Sequence, residues 1–465
     1  MKLNDRINPS ILCALAFCLL FSCILLTAPQ TARAQNITAE TLNTKEAKRN
    51  REMGLAMLGE MKKILEEYYY DPHYHGIDLK ARFKVAEDRI KTLNYNWQVL
   101  RVLAQVLLDF NDSHTSFIPP PRTDYFQYGF SFQMIGEKCF VTNVKKGSDA
   151  EKRGLSVGDQ VLAIGKYSPT RDNLWKIMYL LYRLDPVNTV DLKIKNLSGE
   201  EKQLTVTART MTEKEYKEER KKHKDDEAAK PFKCQEISLE VIACKLYTFM
   251  ADKGQIDKMM KQVNQHSKFI LDLRGNGGGL VSTDEYLIGY LFDHDVKIAD
   301  VVTRQKTEIH MAHNKGDKAF KGELVVLIDS KSASASEVLA RVVQLERRGK
   351  IIGDVSRGAV MTSITQGLFG KLSGFEYAAI TYTGMSVTIA DLIMKDGSRI
   401  EGVGVIPDEA IGPTGFALAH GSDPILSYAA TKLGAKLTPE QAGQFYFITE
   451  KPEGEGEQSE TEDNK

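Results

Sequence analysis

Residues 325–340 read VVLIDSKSASASEVLA, and this stretch is the most informative about how the chain folds. Its first half is an apolar run of strand length and its second half has helical composition, so we predict a strand that leads through a Ser/Ala turn into a helix. Free backbone N–H groups at the positive end of a helix can stabilise a developing oxyanion beside Ser334. The alternative is that Ser334 only caps the helix, because Ser334 and Glu337 have the Ser-x-x-Glu spacing of a capping box.

A second junction of this kind lies upstream, where residues 270–279 read ILDLRGNGGG. The apolar run enters a cluster of glycines, whose backbone amides can approach a ligand without obstruction by side chains. No Gly-x-Gly-x-x-Gly opens a helix at this place, so the loop is not a dinucleotide-binding fingerprint. Strands and helices alternate onward to about residue 415, a pattern that predicts an α/β layer fold.

The first 34 residues predict export. Lys2 and Arg6 precede an apolar run over residues 11–26, and Ala-Arg-Ala at 32–34 offers the small residues of a signal peptidase site. The run is shorter than the roughly 20 residues of a spanning helix, so we expect membrane contact at most through an uncleaved signal. Lys+Arg and Asp+Glu are equal at 62 each, which gives no electrostatic footprint for nucleic acid.

Three cysteines remain after the predicted cleavage: Cys139, Cys234 and Cys244. They are odd in number, widely spaced and without a metal-ligand pattern, so at most one disulfide can form. We therefore expect buried or unpaired thiols. The sequence implies no metal and no organic cofactor.

Composition divides the chain into six segments. Leu, Met, Ala, Glu and Lys at helical spacing predict a helical region that ends at three prolines, and a later charge run predicts a solvated linker or a helix extension. The C-terminal tail lacks the apolar surface needed to order itself. The segments are a signal peptide (1–34), an N-terminal helical region (35–121), a β-rich domain (124–210), the charged linker (211–235), a core (236–450) and an acidic tail (451–465).

Residues 124–210 resemble a PDZ domain. Tyr128-Gly129-Phe130 is similar to the carboxylate-binding loop of that family, and residues 154–164, GLSVGDQVLAI, match its most recognisable stretch. Such a domain adds an extended peptide to a sheet edge and captures its terminal carboxylate on backbone amides. The resemblance implies that Tyr128, Gly129 and Phe130 bind peptide, with Phe132 on the same strand face. The alternative is a β domain that has lost ligand binding.

Four motifs in order resemble those of the C-terminal processing and tricorn-core serine peptidases. Residues 272–279 match the oxyanion loop, and residues 332–337, SASASE, match the nucleophile element with Ser334 as the nucleophile. DSHT at 112–115 and EGVGVIPD at 401–408 match two further elements. The resemblance implies a multidomain α/β (α+β) fold with a crotonase/ClpP-like core. It also implies an oxyanion site made of the amides of Gly277 or Gly278 and of Ala335.

One position departs from the lysine-type members of that family. In residues 353–363, GDVSRGAVMTS, Ala359 occupies the position of the catalytic lysine and Ser363 that of a glutamine. A methyl group cannot accept a proton, so the serine needs another base. Lys371 is one candidate, although it would need a shifted loop.

The tricorn-core branch uses a Ser-His-Ser-Glu tetrad instead of lysine, and this sequence has the matching residues. His114 would take the Ser334 proton, with Ser113 and Glu401 holding the imidazole, and a histidine near its ordinary pKa is a suitable general base. The alternatives are a structural histidine at a helix end and a plain surface glutamate.

These motifs predict an exported serine endopeptidase, periplasmic or extracellular, that cleaves proteins or peptides recognised near their free C-termini. One alternative is a catalytically inactive pseudo-peptidase that binds peptides through the PDZ domain, which Ala359 favours. A second is an acyl-transfer or ligand-binding relative on the same core, since fold does not determine function. The sequence leaves the oligomeric state open.

Overall fold

A computed structural model describes residues 44–368 and 383–447, without the side chains of residues 222–229. The predicted signal peptide (1–34), the candidate base Lys371 and the acidic tail (451–465) lie outside the described residues. The chain has a mixed α/β fold in which an N-terminal group of helices, an inserted β domain and an α/β core follow one another. None of the described helices is both long and apolar enough to cross a membrane.

The N-terminal helices pack through apolar faces at helical spacing. Met57, Met61 and Leu65 are buried on one side of the first helix, which confirms the predicted amphipathic helix. The helices are α1 (Lys45–Tyr68), α2 (Leu79–Ile90) and α3 (Asn96–Leu108), with a 3-10 turn at Tyr74–Gly76.

The inserted β domain, called the insert domain below, spans residues 124–212. A five-stranded antiparallel sheet has the order β3-β4-β5-β6-β7, and β2 pairs with β8 in a separate two-stranded sheet. Its strands are β2 (Asp124–Gln127), β3 (Phe130–Ile135), β4 (Lys138–Val144), β5 (Gln160–Ile164), β6 (Thr189–Lys195), β7 (Glu201–Thr207) and β8 (Arg209–Thr212). Its helices are α4 (Asp149–Lys152) and α5 (Leu174–Tyr179), which continues as a π-helical turn at Leu180–Leu184. β3 is therefore an edge strand.

The charged segment after the insert domain is helical. α6 (Glu213–Ala229) occupies most of it, and β9 (Phe232–Glu236) then joins the core sheet. Of the two alternatives considered for this segment, the helix extension is the one found.

The core is built on a six-stranded sheet of order β18-β15-β14-β11-β10-β9, parallel except for β9. Its remaining strands are β10 (Val241–Leu246), β11 (Lys268–Asp272), β14 (Glu323–Ile328), β15 (Lys350–Gly353) and β18 (Glu409–Ala410). The helices are α7 (Lys253–Val263), α8 (Val281–Leu291), α9 (Ala335–Leu345), α10 (Gly415–Ala419), α11 (Pro424–Lys432) and α12 (Pro439–Gly443), with a 3-10 turn at Gly316–Lys318. Parallel strands bring the loops after β11 and β14 to one edge, where sites form in such sheets.

A second sheet joins the helical region to the core. Its strands are β1 (Ser116–Ile118), β12 (Val296–Thr303), β13 (Thr307–Ala312), β16 (Thr362–Gly367) and β17 (Gly384–Met394). β17 is central, with β1 and β12 on one side and β16 on the other. Because β1 begins two residues after His114, this pairing delivers the histidine loop to the core.

The expectation of unpaired thiols is wrong for two of the three cysteines. Cys234 and Cys244 form a disulfide, whereas Cys139 is free and buried. The bonded cysteines lie directly opposite each other on the neighbouring antiparallel strands β9 and β10. That register brings their β-carbons together, and a spacing count could not reveal it.

Candidate active site

Ser334 lies at the junction between β14 and α9, as the sequence predicts. It is the residue before the first turn of α9 and has φ 55° and ψ −121°. Such a backbone conformation costs a non-glycine residue about 1–3 kcal/mol and persists only where neighbours hold it. The N–H of Ser334 donates to the carbonyl oxygen of Ala359 at 2.9 Å and to Glu337 Oε2 at 3.0 Å.

The two roles considered for Ser334, helix cap and nucleophile, are compatible in this structure. Glu337 supplies the side-chain cap, because its carboxylate accepts from the N–H of Ser334. The N–H of Glu337 in turn donates to the carbonyl oxygen of Ser334 at 2.9 Å. The Ser334 hydroxyl is therefore not required to satisfy the N–H of Glu337.

Glu337 holds the loops of the site together. Its Oε1 accepts from Ser356 Oγ and from the N–H of Gly358, both at 2.6 Å, and its Oε2 accepts from the N–H of Ala359 at 2.8 Å as well as from Ser334. Burial raises the pKa of Glu337, and these four donors oppose that effect. The sequence indicated only a cap for Glu337, because the 356–359 loop is brought to it by the fold.

The glycine loop lies against the nucleophile. A β-carbon on Gly278 would stand 2.6 Å from Cβ of Ser334, and Gly278 has φ 95°, so a side chain is excluded there. The N–H of Gly278 donates to Asn276 Oδ1 at 2.8 Å. Among the described residues, the N–H groups of Gly277 and Ala335 have no acceptor. Of the two predicted glycine donors, Gly277 is thus the one with an available N–H.

A fully buried ion network anchors the glycine loop. Arg274 donates to Asp272 Oδ2 at 2.6 Å and to Asp423 Oδ1 at 2.8 Å, and Lys245 contacts the carbonyl oxygen of Arg274. Removing one partner from a buried ion pair costs about 3–5 kcal/mol. The sequence indicated Asp272 and Arg274 only as parts of a motif. Their buried partners Lys245 and Asp423 are distant in the chain, so the ion network could not be predicted.

The histidine loop is tied to the nucleophile segment through Glu401. Ser113 Oγ lies 2.6 Å from Nδ1 of His114. Glu401 Oε1 accepts from the N–H of Ser113 at 2.8 Å, and Oε2 accepts from the N–H of Val360 at 2.9 Å. Val360 follows Ala359, the residue that binds the Ser334 N–H. Glu401 therefore holds His114 through Ser113 and makes no hydrogen bond to the imidazole itself.

Asp112 fixes the same loop from the other side. Its buried carboxylate accepts from the N–H of His114 at 3.0 Å, from Thr388 Oγ1 at 2.9 Å and from the hydroxyl of Tyr69 at 2.9 Å. Tyr69 follows α1 and Thr388 lies in β17. The helical region and the second sheet thus both position the histidine.

Among the described residues, no hydrogen bond joins Ser334 Oγ to His114. Catalytic hydrogen bonds are often long without substrate and tighten in the substrate complex. Ala359, which occupies the position expected for the lysine of lysine-type peptidases, is buried. Its methyl group offers no competing proton acceptor.

The surroundings of His114 favour the neutral form of its imidazole. Burial lowers the pKa of its imidazole below the usual value, and the positive charge of Arg357 lowers it further. The carboxylates of Glu401 and Asp112 act in the opposite direction. A neutral imidazole at pH 7 can accept a proton from a hydroxyl.

Replacing Arg357 by glutamine is expected to raise the pKa of His114, because a nearby positive charge disfavours the imidazolium. The measurement is an NMR titration of the His114 ring in the folded protein. Arg153→Gln, which changes an exposed arginine of the insert domain, is the matched control and should leave the pKa unchanged. An Arg357→Gln protein with an unchanged or lower pKa would contradict the electrostatic account.

Part of the chain matches the model of a known protein family. Residues 241–411, which hold the glycine loop, Ser334, Glu337 and Glu401, match the model of peptidase family S41. Over these residues the chain is similar to that family.

Curated relatives of this chain are bacterial proteases. The carboxyl-terminal-processing protease of Picosynechococcus sp. is 29% identical over 292 residues, which cover 61% of this chain and 63% of the relative. The tail-specific protease of Haemophilus influenzae is 26% identical over 293 residues, which cover 58% of this chain and 40% of the relative. The chain thus spans less than two thirds of the length of these relatives.

Solved structures share the fold of this chain. A photosystem II D1 C-terminal processing protease has a TM-score of 0.50 at 21% identity, covering 77% of this chain and 93% of its own. Mature CPAF in complex with lactacystin has a TM-score of 0.63 at 13% identity, covering 86% of this chain and 99% of its own. At such identities the likeness concerns the fold alone.

In the insert domain, the predicted peptide-binding side chains belong to the core. Tyr128 is buried with its hydroxyl donating to the carbonyl oxygen of Val187 at 2.6 Å, and the rings of Phe130 and Phe132 lie buried 4.7 Å apart. Gly129 has φ 77°. The N–H groups of Tyr128 and Gly129 have no acceptor among the described residues. This loop therefore offers backbone donors, while its aromatic rings are not exposed groove walls.

The insert domain also contacts the loop that leads to Ser334. Gln133 Nε2 donates to Asp329 Oδ2 at 2.7 Å, and Ser330 Oγ donates to the carbonyl oxygen of Met134. Asp329 in turn accepts from the N–H of Gly275 in the glycine loop at 2.8 Å. Strand β3 thus touches the segment that leads to Ser334.

Proposed function

We propose that this chain is a serine endopeptidase that hydrolyses peptide bonds through an acyl-enzyme on Ser334. The observation that carries the proposal is the bridge made by Glu401, whose carboxylate joins the Ser113-His114 loop to the segment that binds the backbone of Ser334. This bridge relates a base to a nucleophile from a distant part of the sequence, and Gly278 of the glycine loop lies against Ser334. A core of crotonase/ClpP-like type is part of the proposal, supported by the parallel sheet with loops at one edge.

The reaction would begin with transfer of the Ser334 proton to Nε2 of His114 while Oγ attacks the substrate carbonyl carbon. This requires the tautomer in which Nδ1–H donates to Ser113 Oγ, which is one of the two directions that the 2.6 Å contact allows. The N–H groups of Gly277 and Ala335 would stabilise the oxyanion. His114 then returns the proton to the leaving amine, and water activated by the same base hydrolyses the acyl-enzyme.

Labelling by a fluorophosphonate, read together with peptide turnover, tests this function. A peptidase reacts covalently at Ser334 and hydrolyses peptides, and mass spectrometry places the label. A pseudo-peptidase does neither. An acyl-transfer relative takes the label but releases no peptide fragments. Labelling and peptide turnover together therefore distinguish the peptidase, the pseudo-peptidase and the acyl-transfer relative.

We further propose that the insert domain is a PDZ domain that captures the free C-terminus of a substrate on the N–H groups of Tyr128 and Gly129. The available donors in this loop and the edge position of β3 support the assignment. Recognition of C-terminal tails would bring protein substrates to Ser334 through the contact between β3 and the nucleophile loop.

Amidating a peptide's C-terminus is expected to weaken its binding to the full-length Ser334→Ala protein by about 10- to 100-fold, the loss expected for hydrogen bonds to a charged group. Fluorescence anisotropy with a free-acid peptide and its amide measures the difference. A peptide of scrambled sequence with a free C-terminus is the control for non-specific binding. Equal affinities for acid and amide would exclude carboxylate capture.

Export to the periplasm or the extracellular space is also proposed. The predicted signal peptide supports it, and so does the Cys234–Cys244 disulfide, because disulfides persist mainly in oxidising compartments.

A further inference from the structure

Strand β16 has an open edge. It pairs with β17 on one side, and no other described strand pairs with its outer side. Edge strands are usually protected by charged side chains, proline or irregularity. Edge strands such as β9 and β13 carry charges, Lys233 and Glu308, whereas β16 reads TSITQG and has neither charge nor proline. Its sequence thus leaves the edge available for pairing.

The backbone groups that face this open edge follow from the register. The N–H of Leu368, just after β16, donates to the carbonyl oxygen of Thr383 at 2.9 Å, so Leu368 faces β17. Residues of an antiparallel pair alternate between bonding to the partner and pointing away. The register is continuous from Ser363 onward, so Ser363, Thr365 and Gly367 present their N–H and C=O groups outward. Thr365 and Gly367 are exposed and Ser363 is half-buried.

This edge begins close to the nucleophile. Ala359 binds the N–H of Ser334, and Ser363 is four residues further along. At no more than about 3.6 Å per residue, Cα of Ser363 lies within about 14 Å of Cα of Ala359, and Cα of Thr365 within about 22 Å. An extended peptide rises about 3.3 Å per residue, so this edge is within reach of residues about four to seven positions from the scissile bond.

We propose that the outer edge of β16 is a substrate-binding strand, on which an unfolded segment flanking the scissile bond adds in extended form. The inference rests on the proposed peptidase function and names the substrate class for that site. Because β16 offers only backbone groups and small polar side chains, recognition would tolerate many sequences. It would reject proline at the positions that donate to the edge, since proline has no N–H.

The test uses the full-length Ser334→Ala protein and a labelled peptide with an amidated C-terminus, so that neither turnover nor carboxylate capture contributes. Thr365→Pro removes one outward N–H without touching the ladder to β17, and it should raise the Kd about 5- to 10-fold, the loss of one hydrogen bond. Thr365→Ala keeps the N–H and is the matched control, with a Kd within about 2-fold of the parent's. Circular dichroism and thermal melting check that both variants fold.

A second measurement leaves the protein unchanged and remains informative if Thr365→Pro fails to fold. Single N-methyl groups are moved along the peptide, and binding should weaken at every second position over the segment that pairs with β16. Kd values that respond neither to Thr365→Pro nor to N-methylation would overturn the binding strand. If binding weakens at every second N-methylated position but the wild-type protein hydrolyses no peptide, the binding strand stands and the peptidase function is rejected. If the wild-type protein hydrolyses peptides but binding shows no such periodicity, the peptidase function stands and the binding strand is rejected.

Discussion

The Ser334→Ala variant is expected to lose hydrolysis of unfolded protein and peptide substrates by about 10⁴-fold or more, the scale of removing a catalytic serine. Without Oγ no acyl-enzyme can form, while the glycine loop and the capping carboxylate of Glu337 stay in place. The change should not unfold the protein, because the backbone N–H of Ser334, and not its hydroxyl, binds Ala359 and Glu337. Steady-state turnover and thermal melting check both statements.

Ser282→Ala is the matched control for this variant. Ser282 lies in the first turn of a helix that follows a core strand and loop, whereas Ser334 directly precedes such a helix, and Ser282 is exposed. It should keep near wild-type turnover and should still take the fluorophosphonate label. A pure, folded Ser334→Ala protein with full turnover would place the nucleophile elsewhere.

Local sequence was sufficient to predict the strand, the helix and the glycine loop that form the candidate site. The strand before Ser334 and the helix after it follow from an apolar run and a Ser-x-x-Glu signal within sixteen residues, residues 325–340. The glycine loop after β11 could likewise be placed at the carboxyl edge of a sheet. Both depend on contacts between near neighbours in the chain, which periodicity and composition report directly.

Contacts between segments that are distant in the chain could not be predicted from the sequence. Glu337 was predicted as a cap, yet it also binds the loop of Gly358 and Ala359. Glu401 was predicted to hold His114, and it does so through the N–H of Ser113. In each case the partner of the residue depends on how two loops are brought together by β14, β15 and the second sheet. The same reason explains the unpredicted disulfide across β9 and β10.

The identity of the base gives the second large effect. His114→Ala should lower turnover by about 10² to 10⁴-fold, the usual contribution of general-base catalysis, whereas Lys371→Ala should have little effect. His420→Ala, which removes an exposed histidine stacked on Phe416, is the matched control and should keep wild-type turnover. Loss of turnover in a folded Lys371→Ala protein, with His114→Ala active, would assign the base to the lysine instead.

The pH profile distinguishes the two bases independently of mutation. His114 must be neutral to accept the Ser334 proton, so activity should rise with pH through the folded-state pKa of His114. Burial and Arg357 lower that pKa, which puts the rise below the ordinary histidine value of about 6.5. Arg357→Gln should move the rise to higher pH, because it removes a charge that disfavours the imidazolium. A lysine base has an ordinary pKa of about 10.4, and burial would have to lower that pKa by several units before the lysine could act at neutral pH. With a lysine base, the rise of activity with pH would not shift in Arg357→Gln in step with the NMR titration of His114. Agreement between the kinetic limb and the His114 titration, in both the parent and Arg357→Gln, would therefore identify the histidine as the base.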